Sequence, residues 1–398
     1  MADTTQRWHL KGASWLDVTT GESEVRDVVM VDGVLVDAAA AVAPDTVEVD
    51  ASGLTALYGL WDAHAHPGGL MYDPDATGYF EAAPDRTIRA GENLQQAARM
   101  GVTGIRAVSE ADEIDIAWAD AYAQGRPAGP RVRGAGRGVR TTAGHGTAYP
   151  RVFTQLSSEL VVDGPAEAAR AVRTLVERGA HWMKIMLTGG LYSPFETVDG
   201  VQFTDEELRT LMEVAHMRDL PVAAHCGGAE AAVRFAELGG RSVEHGYLLD
   251  ERAAAAMAAA GTWLVPTVAV THDHEYIAAE GWPEHAATRA AETATRHAES
   301  IRICQAAGVR IAVGADLNPI GPRLHRELEM LERAGMGRLE VLTAATVGGR
   351  ALNGYGDASQ PEPGAVADVI LVEGDPVADL AVLRAPRMVF AHGRRLVG

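Results

Sequence analysis

What most constrains this chain is a regular alternation, between residues 55 and 313, of short apolar runs with longer amphipathic or alanine-rich segments. β-Type runs are expected at Thr55–Ala63, Thr103–Val108, Arg131–Gly136, His181–Leu187, Pro221–Ala224, Ser242–His245, Trp263–Val268 and Val309–Val313. Helices are expected between them at Arg86–Met100, Glu113–Gln124, Pro165–Arg178, Asp205–Arg218, Ala229–Leu238, Glu251–Ala260 and Glu284–Ala307. Pro165 opens one helix and Gly179 follows its end, while Thr204 has the chemistry of an N-cap for the next. Strands separated by helices pair in parallel beneath a helical cover. Eight such units in one domain of this length predict an α/β fold, a (β/α)8 TIM barrel, with a doubly wound open sheet as the alternative.

The two ends read differently. Val25–Val36 contains two β-rich runs around Asp32-Gly33, a hairpin signal. Ala367–Val372 and Arg387–Val397, the latter turning at His392-Gly393, repeat the pattern at the C-terminal end. Residues 1–54 and 362–398 are therefore expected to build one composite β-sandwich domain, and residues 55–361 the barrel.

The barrel assignment has a chemical corollary, because such folds carry their chemistry at the C-terminal ends of the strands. His64 and His66 close the first run, and residues two apart on a strand share a face, so both imidazoles can reach one metal ion. Lys184 interrupts the apolar run His181–Leu187, His225 and His245 end the fifth and sixth runs, and Asp316 follows the eighth. A lone histidine in a strand is more often a core or surface residue than a ligand. Six ligand-type residues at this phase point instead to a metal centre.

In these stretches the chain resembles the metal-dependent amidohydrolase superfamily. The matching segments are Gly59–His66, Met183-Lys184-Ile185, Val222–His225, Val243–Gly246 and Gly314–Asp316, and Pro363–Val372 is similar to the family's return into its β-sandwich. The likeness is greatest to the Xaa-Pro dipeptidase (prolidase) branch with its ochratoxinase-like amidases. It implies a binuclear centre of two divalent metal ions, zinc first and manganese, iron or cobalt as replacements, bridged by Lys184 carboxylated by CO2. His64, His66 and Asp316 would hold the more buried metal, and His225 and His245 the more exposed one. The bridging water would become the nucleophile, and Asp316 would move its proton to the leaving amine. The residues agree with the lysine's role. A buried ammonium is costly, whereas a neutral lysine can form an anionic carbamate. An ion-paired lysine is the alternative.

Other positions bear on the substrate. His145, in the loop after the third run, resembles a family histidine that holds the transition-state oxygen or a substrate carboxylate. Tyr192, after the fourth, could donate to a tetrahedral oxyanion, and Arg140 and Arg323 could clamp a substrate carboxylate. His272 and His274 repeat the HxH spacing inside a charged stretch and read as loop residues rather than a second metal site. The segment from Thr271 to about Ala291 reads as a long specificity loop. Trp61 stands where the family commonly has a smaller aliphatic residue.

Composition narrows the rest. The net charge of −19 argues against nucleic acid and anionic membranes as partners. No segment has 18 uninterrupted apolar residues, and the N-terminal stretch lacks a signal-peptide core. Cys226 and Cys304 are expected as reduced core thiols. These features predict a cytoplasmic enzyme acting on a small-molecule substrate; large acidic barrels often pair, so a homo-oligomer is compatible. The expected reaction is hydrolysis of an amide in a dipeptide of Xaa-Pro type or an N-acyl amino acid. The runner-up is a hydrolase of a small-molecule carbamate, urea, lactone or other amide in specialised or xenobiotic metabolism. A mononuclear deaminase or cyclic-amide hydrolase and a non-catalytic barrel relative rank lower, since the former usually lack the lysine and the latter usually lose ligands.

Overall fold

The computed structural model describes residues 6–37, 43–69, 81–147 and 159–398. Both chain ends meet in one eight-stranded sheet. Its hydrogen-bonded order is Arg394–Val397, Met388–Ala391, Val369–Val372, Thr55–Tyr58, Arg7–Leu16, Ser23–Val31 and Val34–Val36, with Val47–Asp50 branching from Arg7–Leu16. The expected turns at Asp32-Gly33 and His392-Gly393 are present, with left-handed φ values at all four residues. The strands anticipated as a sandwich are thus hydrogen-bonded into a single sheet. Its apolar face packs around Leu10, Trp15, Met30, Tyr58, Leu371 and Phe390, with Trp15 edge-on to Tyr58 at 5.1 Å between ring centroids.

The middle of the chain is α/β with parallel strands. Leu60–Ala65, Val102–Ala107 and Arg131–Gly134 form one sheet. Leu160–Val161, Val139–Arg140, Met183–Met186, Val222–Gly228, Ser242–Leu248 and Trp263–Val265 form another. The first expected run divides at Gly59. Thr55–Tyr58 joins the terminal sheet, and Leu60–Ala65 pairs with Val102–Ala107. The eighth is reduced to a single parallel bridge between Ile311 and Leu264. Backbone hydrogen bonds continue past the sheet ends: His181 N to Gly134 O, Ala312 N to Leu264 O, and Ala63 N to Val313 O at 2.8 Å.

Between these segments lies a small buried cluster of Ala63, Val108, Ala135, Trp182, Ala223, Trp263, Val265 and Ala312, with Leu352 beside it. Leu60–Ala65, Val222–Gly228 and Trp263–Val265 contribute to it directly and Val108, Ala135 and Trp182 adjoin strand ends, whereas Ser242–Leu248 turns the polar Ser242 and Glu244 toward Arg106. Arg106 crosses this space and lies over the Trp182 ring at 4.5 Å. Trp61, fully buried, fits because two glycines face it. A Cβ on Gly104 would sit 2.0 Å from its Cε2, and one on Gly349 would sit 2.2 Å from its Cβ. The helices follow the expected periodicity. Asp205–His216, for example, starts with a capping box in which Thr204 and Glu207 satisfy each other's backbone amides.

The long loop expected after the seventh run is instead mostly helical: Ala269–His272, His274–Ala279 and the start of Glu284–Ala306. Asp273 explains the second of these, since its side chain accepts from Tyr276 N and pairs with Arg326. Both cysteines are free and buried. No helix among the described residues is long and apolar enough to cross a membrane.

Candidate metal centre and its cavity

His64 and His66, at and just beyond the end of Leu60–Ala65, project to the same place. Nε2 of each lies near the same carboxylate oxygen, Asp316 Oδ1, at 3.4 and 3.0 Å. Asp316 is brought there by a left-handed backbone (φ 59°), by its amide donating to His64 O, and by Asp62. The Asp62 carboxylate accepts from His64 N and Ala315 N at 3.0 and 3.1 Å and so ties the two segments together. His64, His66 and Asp316 can each offer a ligand atom, all within 4.8 Å of one another.

Lys184 enters from the neighbouring sheet and places Nζ 3.3 Å from His64 Nε2. His225 and His245 complete the group: their rings are 4.4 Å apart, and His245 is 5.0 Å from His64. His245 also needs a left-handed φ of 70°. Strand alternation would send Glu244 and His245 to opposite faces, and this backbone turn brings both into the site.

Each of the four histidines has one ring nitrogen engaged by the protein. His64 Nδ1 donates to Glu244 at 2.7 Å, His66 Nδ1 to Ser109 O at 2.9 Å, and His225 Nε2 to Gly189 O at 3.0 Å; His245 Nδ1 is 2.7 Å from Thr267 Oγ1. The opposite nitrogens of His64 and His66 face the other ligand-type groups, Asp316 for both and Lys184 for His64. Metal-binding imidazoles are held this way, with the outer bond setting tautomer and ring angle. Two such nitrogens with a carboxylate form an N,N,O donor set suited to zinc or a similar divalent ion, so these residues fit a metal.

Electrostatics agree. Burial pushes His64, His225 and His245 well below the usual imidazole range, with Lys184 adding to it, so all three are neutral and able to coordinate. Burial opposes charge on His66 as well, but the Asp316 hydrogen bond and charge, with the Ser109 carbonyl, together outweigh it and raise the group. For Asp316, burial is outweighed by the surrounding groups, among them the hydrogen bond and charge of His66 and the Lys184 charge, and its carboxyl is held low. Lys184 is lowered by burial to about 8.

The centre opens into a cavity lined by Met186, Leu191, Tyr192, Tyr247, Val270, Tyr276, Trp282 and Leu317 as well as His145 and the six ligand-type residues. The structure therefore gathers His64, His66, Lys184, His225, His245, Asp316, His145 and Tyr192 at one place. The two arginines anticipated as a carboxylate clamp are elsewhere. Arg140 is buried, with Nε 3.6 Å from Glu159, and Arg323 lies over the Tyr276 ring and faces Asp273. Neither lines the cavity, and each has local partners, Thr141 O and Glu159 for Arg140 and Asn318 O, Asp273 and the Tyr276 ring for Arg323. His272 is engaged with Val268 O and Thr271, and among the described residues the one group that meets a metal-site geometry is His64, His66 and Asp316.

Several residues of the site went unmarked in the sequence. Glu244 is fully buried and accepts from His64, from Arg106 Nη2 and from Ser242 Oγ. Glu327 accepts from Val268 N and Ala269 N at 2.7 Å each and anchors the segment behind Thr267. A carboxylate beside a ligand in Val243-Glu244-His245, and an arginine inside an apolar strand at Arg106, were the available signals.

Comparison with known proteins adds four findings. The model of the amidohydrolase family matches residues 55–396. Ochratoxinase of Aspergillus niger is 30% identical over 356 residues, covering 83% of this chain and 72% of that protein, and its crystal structure superposes with a TM-score of 0.86 at 26% identity over 100% of this chain and 96% of that one. A Xaa-Pro dipeptidase solved with methionine in its active site is similar at TM-score 0.86 and 27% identity, over 99% of this chain and 100% of that one. A prolidase solved with N-methylphosphonate-L-proline is similar at TM-score 0.87 and 26% identity, over 98% and 99%.

Proposed function

We propose a specific chemistry for this chain, which belongs to the amidohydrolase family on its prolidase and ochratoxinase branch: it is a binuclear metal-dependent hydrolase of an amide bond in a dipeptide or an N-acyl amino acid. The observation that carries the reading is the convergence of four histidines, each with one nitrogen tied back to the protein, on Asp316 and Lys184.

His64, His66 and Asp316 would hold one divalent ion, and His225 and His245 a second, with carboxylated Lys184 between them; zinc suits the donors best. When bound, such ions supply a water of lowered pKa and polarise a carbonyl. Lys184 supports the bridging role because burial lowers it to about 8, which makes its free amine, the form that adds to CO2, far more accessible than in an ordinary lysine. Asp316, held ionised, is the acceptor for the proton of the attacking water and then its donor to the leaving amine. Tyr192 and His145 line the cavity beside this centre and serve as donors to the acyl oxygen or to a substrate carboxylate. Tyr247, Tyr276, Trp282 and Leu317 form an apolar wall that suits a hydrophobic side chain or acyl group.

The same reading closes the parallel segments into an eight-stranded barrel, supported by the hydrogen bonds from 134 to 181 and from 63 to 313. It divides the chain into residues 1–54 with 362–398 and residues 55–361, and places the enzyme in the cytoplasm, where its buried free thiols stay reduced. Hydrolysis assays on Xaa-Pro dipeptides, N-acyl amino acids and aryl amides or carbamates test it. Release of the amine from one of the first two classes supports the reading, and turnover confined to carbamates or ureas would replace it with the small-molecule alternative.

A further inference from the structure

Glu196 is a buried carboxylate that the reaction described above does not use. It lies in the loop that follows Met183–Met186, with Oε2 2.9 Å from His145 Nδ1 and 3.0 Å from Gly190 N. A carboxylate only accepts, so His145 Nδ1 carries the proton of this bond. The His145 backbone is fixed as well, its amide donating to Gln202 Oε1 at 2.8 Å. The ring lies flat against His225, 3.9 Å between centroids and 22° between planes. The loop backbone closes over it. A Cβ at Gly190 would fall 2.2 Å from His145 Cε1, and Arg289 holds that backbone through Gly190 O and Ser193 O at 3.0 and 2.8 Å.

We propose that Glu196 is a positioning residue for the reaction: it holds the His145 imidazole with Nδ1–H turned into the loop, so that Nε2 is the atom presented to the substrate. A histidine whose Nδ1 is occupied by a carboxylate has its tautomer and angle set before substrate arrives, and losing that control is costly even where the ring stays in place. Burial opposes the Glu196 charge, but the hydrogen bonds from His145 and Gly190 N and the nearby Arg289 together hold the carboxyl below its usual range, so the acceptor is ionised at neutral pH. The kinetic part of the proposal rests on the amide-hydrolysis reading; the orientation does not.

The test pairs two readouts on wild type, Glu196→Gln and Glu196→Asp. In metal-free protein labelled with 15N-histidine, the His145 resonances, assigned by their loss in His145→Gln, should show Nδ1 protonated in wild type and Glu196→Asp and a redistributed proton in Glu196→Gln. In metal-loaded protein, Glu196→Gln should lower kcat roughly 100-fold at unchanged metal content and little-changed KM, with partial recovery in Glu196→Asp. An unaltered 15N signature with near-normal kcat in Glu196→Gln would overturn the proposal. So would an equal loss in both variants with falling metal content, which is the mark of a purely structural role. A wild type that hydrolyses no amide would refute the functional reading, and the 15N arm alone would then decide the orientation.

Discussion

Replacing Glu244 by glutamine should be among the most damaging single-atom changes in the molecule. The side chain is 0% exposed, as is Arg106, and its two oxygens receive His64 Nδ1 at 2.7 Å, Arg106 Nη2 at 2.8 Å and Ser242 Oγ at 2.5 Å. Glu244→Gln keeps the volume but removes the carboxylate paired with the Arg106 guanidinium, and its NH2 group must face another donor. Stripping one partner from a buried pair costs about 3–5 kcal/mol. Loss of the outer bond to His64 should also weaken metal binding roughly 10- to 100-fold. The assay is guanidinium denaturation of metal-free protein, followed by two probes to establish a single transition, together with competition against a chelator. A lower midpoint at unchanged slope is the expected result. Adding Arg106→Met should recover most of the lost stability, because removing both charges from a dry site is close to neutral. A loss below about 1 kcal/mol, or a double variant no better than the single one, would refute the argument that this ion pair holds the His64 side of the site.

Four other outcomes are expected. Asp316→Asn should retain metal yet lose nearly all turnover in steady-state assays, and near-normal rates would remove Asp316 from proton transfer. Lys184→Ala should lose metal and activity, with partial rescue by short carboxylic acids; tight binding of two metals without rescue would exclude the carbamate bridge. Lys184 titrates at about 8, protonated and unreactive below and free amine above, so at fixed dissolved CO2 the initial rate of reconstitution should rise about tenfold from pH 7 to pH 9; a rate that is flat or falling would count against it. Gly104→Ala should force the buried Trp61 ring to move and cost about 1–3 kcal/mol in chemical denaturation, since the new Cβ would start 2.0 Å from it.

The meeting of the six ligand-type residues at one place was readable from sequence because three simple regularities coincide. Alternate residues on a strand share a face, barrel chemistry gathers at strand ends, and ionisable residues rarely interrupt apolar strands without reason. His64 and His66 are marked by the first two, and Lys184 and His225 by the third. His245 and Asp316 join them only through left-handed backbone that no periodicity encodes. The ends were readable from their turns, but the switch at Gly59, which sends Thr55–Tyr58 to one sheet and Leu60–Ala65 to another, has no signal in a continuous apolar run. The eighth strand shrinks to one bridge, and the segment after the seventh coils because Asp273 caps it locally and Glu327 anchors it from a distance in sequence. Glu244, Arg106 and Glu196 were missed for the same reason: each matters through a partner more than 50 residues away in the chain. Arg140 and Arg323 show the converse, since a guanidinium can be spent on a nearby carboxylate or ring as readily as on a substrate.

The most direct test of the account is the metal content of the purified protein, measured by mass spectrometry after reconstitution with zinc or manganese in the presence of bicarbonate and read beside amide hydrolysis. The account predicts about two metal ions per chain and cleavage of a dipeptide or N-acyl amino acid. One ion or none, in protein that remains folded, would contradict the lysine-bridged centre and return the deaminase and non-catalytic readings to the front.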